Sequence, residues 1–137
     1  WDDEFKYSRK RLGGATIENL DFETLFNKYP PREGDFWYLD PPYIVATEKG
    51  NYYMNNFSLE DHSRLKECVD RIEEGGGNFM ISYDYRDEIA ELYKDYNIKT
   101  ITMKYSGATK EARLTERKEY IIMNYEPVSQ IGMFEEK

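Results

Sequence analysis

Asp35-Phe36-Trp37-Tyr38-Leu39-Asp40-Pro41-Pro42-Tyr43 is the stretch that decides how this chain is read. Residues 35–39 form a nearly continuous apolar run, as expected of a strand buried on both faces. The run stops at Asp40, because two consecutive prolines lack the N–H donors that a sheet needs. Beyond the strand lies a stiff ledge with three useful groups: a carboxylate, a backbone carbonyl with no competing neighbour N–H, and a flat ring.

Working outward, the flanking residues alternate between two periods. Upstream, Ala15 to Asn19 read as a short strand, and Asp21 caps a helix with Phe22, Leu25, Phe26 and Tyr29 at helical spacing. Pro30-Pro31 stops it. Downstream, residues 44–57 form a long connection rich in Tyr, Asn and Gly. Ser58 then caps a helix, with Asp61 as the acid of a capping box and Leu65, Val69 and Ile72 on its inner face. Gly75-Gly76-Gly77 ends that helix. Phe79 to Tyr83 is the next buried strand; Ile89, Leu92, Tyr93 and Tyr96 mark another amphipathic helix. Strands at Ile98–Tyr105 and Tyr120–Tyr125 are joined by a polar, basic segment, which reads as a hairpin with a long connection. The order strand–helix–strand–helix–strand–helix–strand–strand predicts an α/β fold. Its sheet is expected to be mostly parallel, with helices on both faces and a C-terminal antiparallel hairpin.

Ligands of open α/β sheets bind at the carboxyl ends of strands, where Asp40 to Tyr43 lie. A nucleobase amine is a poor nucleophile, because its lone pair is delocalised into the ring. Two acceptors, the Asp40 carboxylate and the Pro41 carbonyl, would hold both amine hydrogens out of the ring plane and restore lone-pair density. The gain is orientation and electrostatics. Tyr43 would stack on a base that has first left its duplex.

Asp40-Pro41-Pro42-Tyr43 resembles the signature of amino-methyltransferases, and its surroundings resemble the Dam-type (D12 class) DNA adenine-N6 methyltransferases. The similarity extends through Phe36-Trp37-Tyr38-Leu39, the loop aromatics Tyr52 and Tyr53, Phe57 with Ser58-Leu59-Glu60, Phe79-Met80-Ile81-Ser82-Tyr83-Asp84, and Arg113 to Ile122. Ile17 to Phe22 resembles the family's strand-to-helix turn at the cofactor's adenine. Residues 15–126 are covered. The Asp in first place favours DNA adenine, since relatives acting on protein glutamine usually carry Asn there and those acting on cytosine N4 usually carry Ser. The resemblance implies a partial Rossmann-like methyltransferase sheet, S-adenosylmethionine as cofactor, double-stranded DNA as substrate and a restriction–modification setting. It implies Asp40, Pro41, Pro42 and Tyr43 as catalytic residues, and Asp21, Phe22 and Asp40 at the cofactor. Tyr43, Tyr53, Phe57, Arg113, Arg117 and Lys118 are implied at the substrate.

The family's Phe-x-Gly-x-Gly cofactor loop is not among these residues. Gly75-Gly76-Gly77 cannot stand in for it, because it precedes a strand rather than opening a helix. The sheet is therefore expected to lack two strands, leaving the strand that ends at Asp40 with an open edge that invites a second chain or a homodimer. The expected organisation is a remnant of the recognition region or a basic tail at 1–12, a catalytic subdomain at 13–126 and a tail at 127–137, in a fragment, a truncated gene product or half of a split enzyme.

The totals set the outer limits. With 137 residues, 39% hydrophobic content, seven Phe and 13 Tyr, the chain fits one folded domain. No apolar run reaches the roughly 20 residues of a membrane span, and no secretory pattern opens the sequence, so a cytoplasmic protein is expected. The one cysteine, Cys68, has neither a disulfide partner nor companions for a zinc site, and reads as a buried or half-buried thiol. A net charge of −8 argues against simple nucleic-acid binding. Lys6, Arg9, Lys10 and Arg11, and again Lys110, Arg113, Arg117 and Lys118, nevertheless make basic patches. His62, the one histidine, is read as solvated on an exposed helix turn. Two other functions stay open: a methyltransferase acting on RNA or protein, and a non-catalytic remnant or interaction module that pairs through its open sheet edge.

Overall fold

The computed structural model describes residues 2–42, 57–105 and 115–127. Along the chain come α1 (Asp2–Leu12), α2 (Phe22–Lys28), β1 (Phe36–Leu39), α3 (Leu59–Glu74), β2 (Asn78–Asp84), α4 (Asp87–Leu92), β3 (Asn97–Tyr105) and β4 (Thr115–Met123). The four strands lie in the order β1-β2-β4-β3. Among the described residues β1 is therefore an edge strand, as the sequence led us to expect.

The expected parallel character is not what forms. Among the described residues only β1 and β2 pair in parallel; β2 with β4 and β3 with β4 are antiparallel. The direction of the strands was legible, since β3 points the same way as β1 and β2. The terminal hairpin strand β4, however, inserts between β2 and β3 and converts two neighbour pairs to antiparallel. Alternation of strands and helices fixes direction, not adjacency.

Helices on both faces is a second correction. Trp37 and Leu39 stand opposite Phe79 and Ile81, and Ile81 and Tyr83 stand opposite Ile122 and Tyr120, so these side chains share one face. Phe26 of α2, Cys68, Val69 and Ile72 of α3, and Ile89 of α4 all join them in a single core. The three packed helices thus cover the same face. Phe26 stacks on Trp37 with ring centres 4.4 Å apart, which docks α2 over β1.

Local signals set the helix ends. Ser58 accepts from Asp61 N–H, and the Asp61 carboxylate accepts from Ser58 N–H at 2.8 Å, closing the capping box read from the sequence. At the other end Gly76 has φ +77°, Gly76 N–H donates to Glu73 and Gly77 N–H to Ile72, the Schellman pattern. A Cβ on Gly75 would sit 2.6 Å from the Pro31 carbonyl oxygen, so this turn packs directly against the turn before β1.

Several element limits differ from expectation. Residues 15–19 form no strand: Ile17 is 80% exposed and the segment is tied down instead through Glu18, which accepts from Lys28 and Tyr29 of α2. Residues 2–12, read as a remnant of the recognition region or a basic tail, form a helix with Arg9, Lys10 and Arg11 in its last turn. Helix α4 ends at Leu92, and Tyr93 and Tyr96 reach the core from the adjoining turn. Strand β4 begins at Thr115 because it pairs along the whole of β3.

Candidate active site

The parallel pair β1–β2 presents its carboxyl end to the N-termini of α2 and α3. Leu39 to Pro42, Leu20 to Phe22, and Phe57, Asp61 and Leu65 line an open cleft of about 570 Å³ there. Asp21 and Phe22 arrive because Asp21 caps α2, its Oδ1 accepting from Glu23 N–H at 3.0 Å. Phe57 arrives just before the Ser58 cap of α3 and tilts against Phe22 with ring centres 5.6 Å apart. Sequence positions 21, 40 and 57 thus meet at one place.

Asp40 stands at the rim. Its Oδ1 accepts a hydrogen bond from Ser82 Oγ at 2.9 Å, and among the described residues its Oδ2 has no hydrogen-bond partner. Pro41 is buried and Pro42 exposed, so the ledge is anchored at its first proline. Apolar walls from Leu20, Phe22, Leu39, Phe57 and Leu65 are combined with the carboxylates of Asp21, Asp40 and Asp61.

Two residues that the sequence did not single out, or misplaced, hold this cleft in shape. Arg64 reaches from α3 to Glu23 at 2.5 Å, Asp61 at 2.8 Å and Asp21 at 3.5 Å, while its guanidinium lies 4.9 Å from the centre of the Phe22 ring. The hydrogen bonds to Glu23 and Asp61 push its pKa further above an already high value. Those to Ser58 hold the Asp61 carboxyl below its ordinary value. Arg64 lies 41 residues from Glu23 of α2, and no local pattern announces that pairing.

His62 is the correction of placement. Instead of facing solvent it is 2% exposed, shares a 2.7 Å hydrogen bond between Nδ1 and the Tyr83 hydroxyl, and meets Phe57 edge-on at 4.7 Å. Burial pushes the imidazole pKa below 6.5 and pushes the Tyr83 phenol above its ordinary value. Both shifts keep the pair neutral.

Over residues 2–106 the sequence matches the family described as D12 class N6 adenine-specific DNA methyltransferase. The chain belongs to that family. It is 34% identical over 112 residues to the Type II methyltransferase M1.LlaDCHI of Lactococcus lactis subsp. cremoris, covering 80% of this chain and 39% of that protein. It is 29% identical over 111 residues to the Type II methyltransferase M.FokI of Planomicrobium okeanokoites, covering 73% of this chain and 17% of the relative. Modification methylase StsI of Streptococcus sanguinis is 24% identical over 125 residues, which cover 81% and 19%. The chain spans less than half the length of each of these relatives.

Within this D12-class chain the remaining sequence-read residues fall into two groups. Tyr43, Tyr52, Tyr53, Lys110 and Arg113 lie outside the described residues. Arg117 and Lys118 are not in a loop but in β4, opposite Met103 and Thr102. As neighbours in a strand they point to opposite faces, so they do not form one patch. Lys118 Nζ lies 5.3 Å from the centre of the Tyr85 ring. Cys68 is a buried free thiol, as read, and burial pushes its pKa up. Among the described residues no helix is long and apolar enough to cross a membrane.

Proposed function

We propose that this chain carries the catalytic portion of an enzyme that methylates N6 of adenine in double-stranded DNA. One observation supports this most directly. The Asp40 carboxylate is fixed at the end of β1 through one oxygen, while the other has no partner among the described residues and stands at the rim of the cleft. The Asp40 Oδ2 and the Pro41 carbonyl would accept the two hydrogens of the target amine and aim its lone pair into the cleft. Tyr43 would stack on the extruded base, with Phe57 and Tyr53 holding it. Arg113, with Arg117 or Lys118 according to which face of β4 meets the duplex, would contact phosphates.

The residues around the cleft fit S-adenosylmethionine: Phe22 offers a ring for an adenine, and Asp21 and Asp40 offer carboxylates toward a cationic group. When bound, that cofactor supplies an activated methyl group on a sulfonium. As in the family it resembles, Asp40 would also lie close to the cofactor. The amine needs no strong base, since its proton is acidic once the nitrogen is methylated.

Calorimetric titration of S-adenosylmethionine, together with transfer of labelled methyl to an adenine-containing duplex, tests this reading. Saturable binding and transfer that are lost in Asp40→Ala are expected. Transfer that survives Asp40→Ala, or that prefers RNA or protein to duplex DNA, would overturn it.

The β1 edge favours a second reading beside the first. Among the described residues β1 pairs with β2 alone, and Phe36 and Tyr38 are 58% and 57% exposed. An exposed edge of this kind recruits another chain. A homodimer, or a second chain supplying the Gly-rich cofactor loop, would complete the site, and sedimentation equilibrium with and without cofactor distinguishes these from a monomer.

A further inference from the structure

Asp40 is held by a short relay of hydroxyl groups that the motif itself does not contain. In register, Tyr38 stands opposite Met80 and Leu39 opposite Ile81, so Asp40, one step further along, comes level with Ser82. Tyr38 and Ser82 occupy alternate positions that share the sheet face turned away from the helices. Ser82 Oγ lies 2.9 Å from Asp40 Oδ1 and 3.4 Å from the Tyr38 hydroxyl. Ser82 is 7% exposed, so it has little access to water as a substitute partner.

The proton count fixes the direction. Ser82 Oγ is the donor to Asp40 Oδ1, and a hydroxyl has a single proton. That proton therefore goes to Asp40 Oδ1, and Tyr38 must donate its own to Ser82 Oγ. A donor locked onto Oδ1 sets the carboxylate plane and its χ1 angle and leaves Oδ2 free to accept. A hydrogen bond to an ionised acceptor is among the stronger kinds available to a side chain.

We propose that Ser82, backed by Tyr38, is the positioning residue that presents the Asp40 carboxylate to the target amine. This rests on the proposed methyl transfer only for its consequence in catalysis. The hydrogen-bond relay itself makes a prediction that involves neither cofactor nor DNA. Ser82 is not among the residues that line the cleft and donates to Asp40, so its loss would act through Asp40. The expected signature is a fall in kcat of about tenfold with little change in KM, as for a group that improves alignment rather than binding.

The test uses the full chain and the variants Ser82→Ala, Ser82→Thr and Tyr38→Phe. Three-bond couplings of the Asp40 side chain, measured by nuclear magnetic resonance without any ligand, should report one χ1 rotamer in the unmutated chain. They should report averaging in Ser82→Ala, recovery in Ser82→Thr and partial averaging in Tyr38→Phe, whose exposed ring leaves the fold intact. Methyl transfer to duplex DNA should follow the same order. An Asp40 rotamer unchanged in Ser82→Ala would overturn the positioning role. So would a transfer defect expressed only in KM, or one that Thr fails to rescue despite native stability. If the unmutated chain transfers no methyl group, the proposed activity of this polypeptide fails, and the couplings still decide whether Ser82 holds Asp40.

Discussion

The two faces of the sheet do different work. On one, Phe79, Ile81, Tyr83 and Ile122 are fully buried beneath α2, α3 and α4. On the other, Phe36 and Tyr38 stand more than half exposed, and the polar side chain of Ser82 is turned toward Asp40. The same strands build both faces, since alternate residues point in opposite directions. Stability is concentrated where the helices pack, and the Asp40 carboxylate with the hydroxyls of Ser82 and Tyr38 sits on the face that those helices leave open. Removing a residue from the first face should unfold the chain, whereas removing one from the second should disarm it.

Substitutions on each face test this division of labour. The largest effect should come from Phe79→Ala, which opens a cavity in the packed face and is expected to cost about 3–5 kcal/mol in urea denaturation. A cost below about 1 kcal/mol would show that this face is not the main source of stability. Asp40→Ala should leave the denaturation midpoint nearly unchanged, because the residue is exposed, yet lower methyl transfer at least about 100-fold. Equal losses of stability and activity would erase the difference between the faces.

His62 probes the packed face by pH. Burial holds its pKa below 6.5 in the folded chain, so the unfolded chain takes up the proton first as acid is added. Its contribution is therefore full above about pH 6.5 and declines as pH falls toward the folded-state pKa. His62→Gln, which keeps a partner for Tyr83, should flatten that part of the stability–pH curve; an unchanged slope would place the imidazole in solvent after all. The smallest effect is expected of Phe36→Thr on the open face, within about 0.5 kcal/mol by thermal denaturation.

Much of this was legible from local chemistry. Ser58 with Asp61, and the glycines from 75 to 77, each specify a helix end by hydrogen bonds made within a few residues, and both formed as read. Strand β1 and its stop at Asp40 follow from an apolar run meeting two prolines. The burial on both faces expected of that run did not form, since the three packed helices cover the other face and Phe36 and Tyr38 stand more than half exposed. Ile17 misled because a β-branched residue favours a strand only where a neighbouring strand and a packing surface exist, and residues 15–19 have neither. His62 misled because helix periodicity places the apolar neighbours of a position but not the ring of Phe57 or the hydroxyl of Tyr83, which come from elsewhere in the chain.

By itself the sequence determined the Asp40-Pro41-Pro42-Tyr43 ledge at a strand end, the helix caps, the direction of the strands and the family. Each of these depends on contacts between near neighbours or on a motif read in one stretch. Tertiary structure alone decided that β4 inserts between β2 and β3, that α2, α3 and α4 share one face, and that Arg64 binds the acids of α2. It also placed Ser82 beside Asp40, 42 residues away. These are long-range pairings, chosen by which apolar faces and charges can be buried or satisfied together, and no local pattern carries that information.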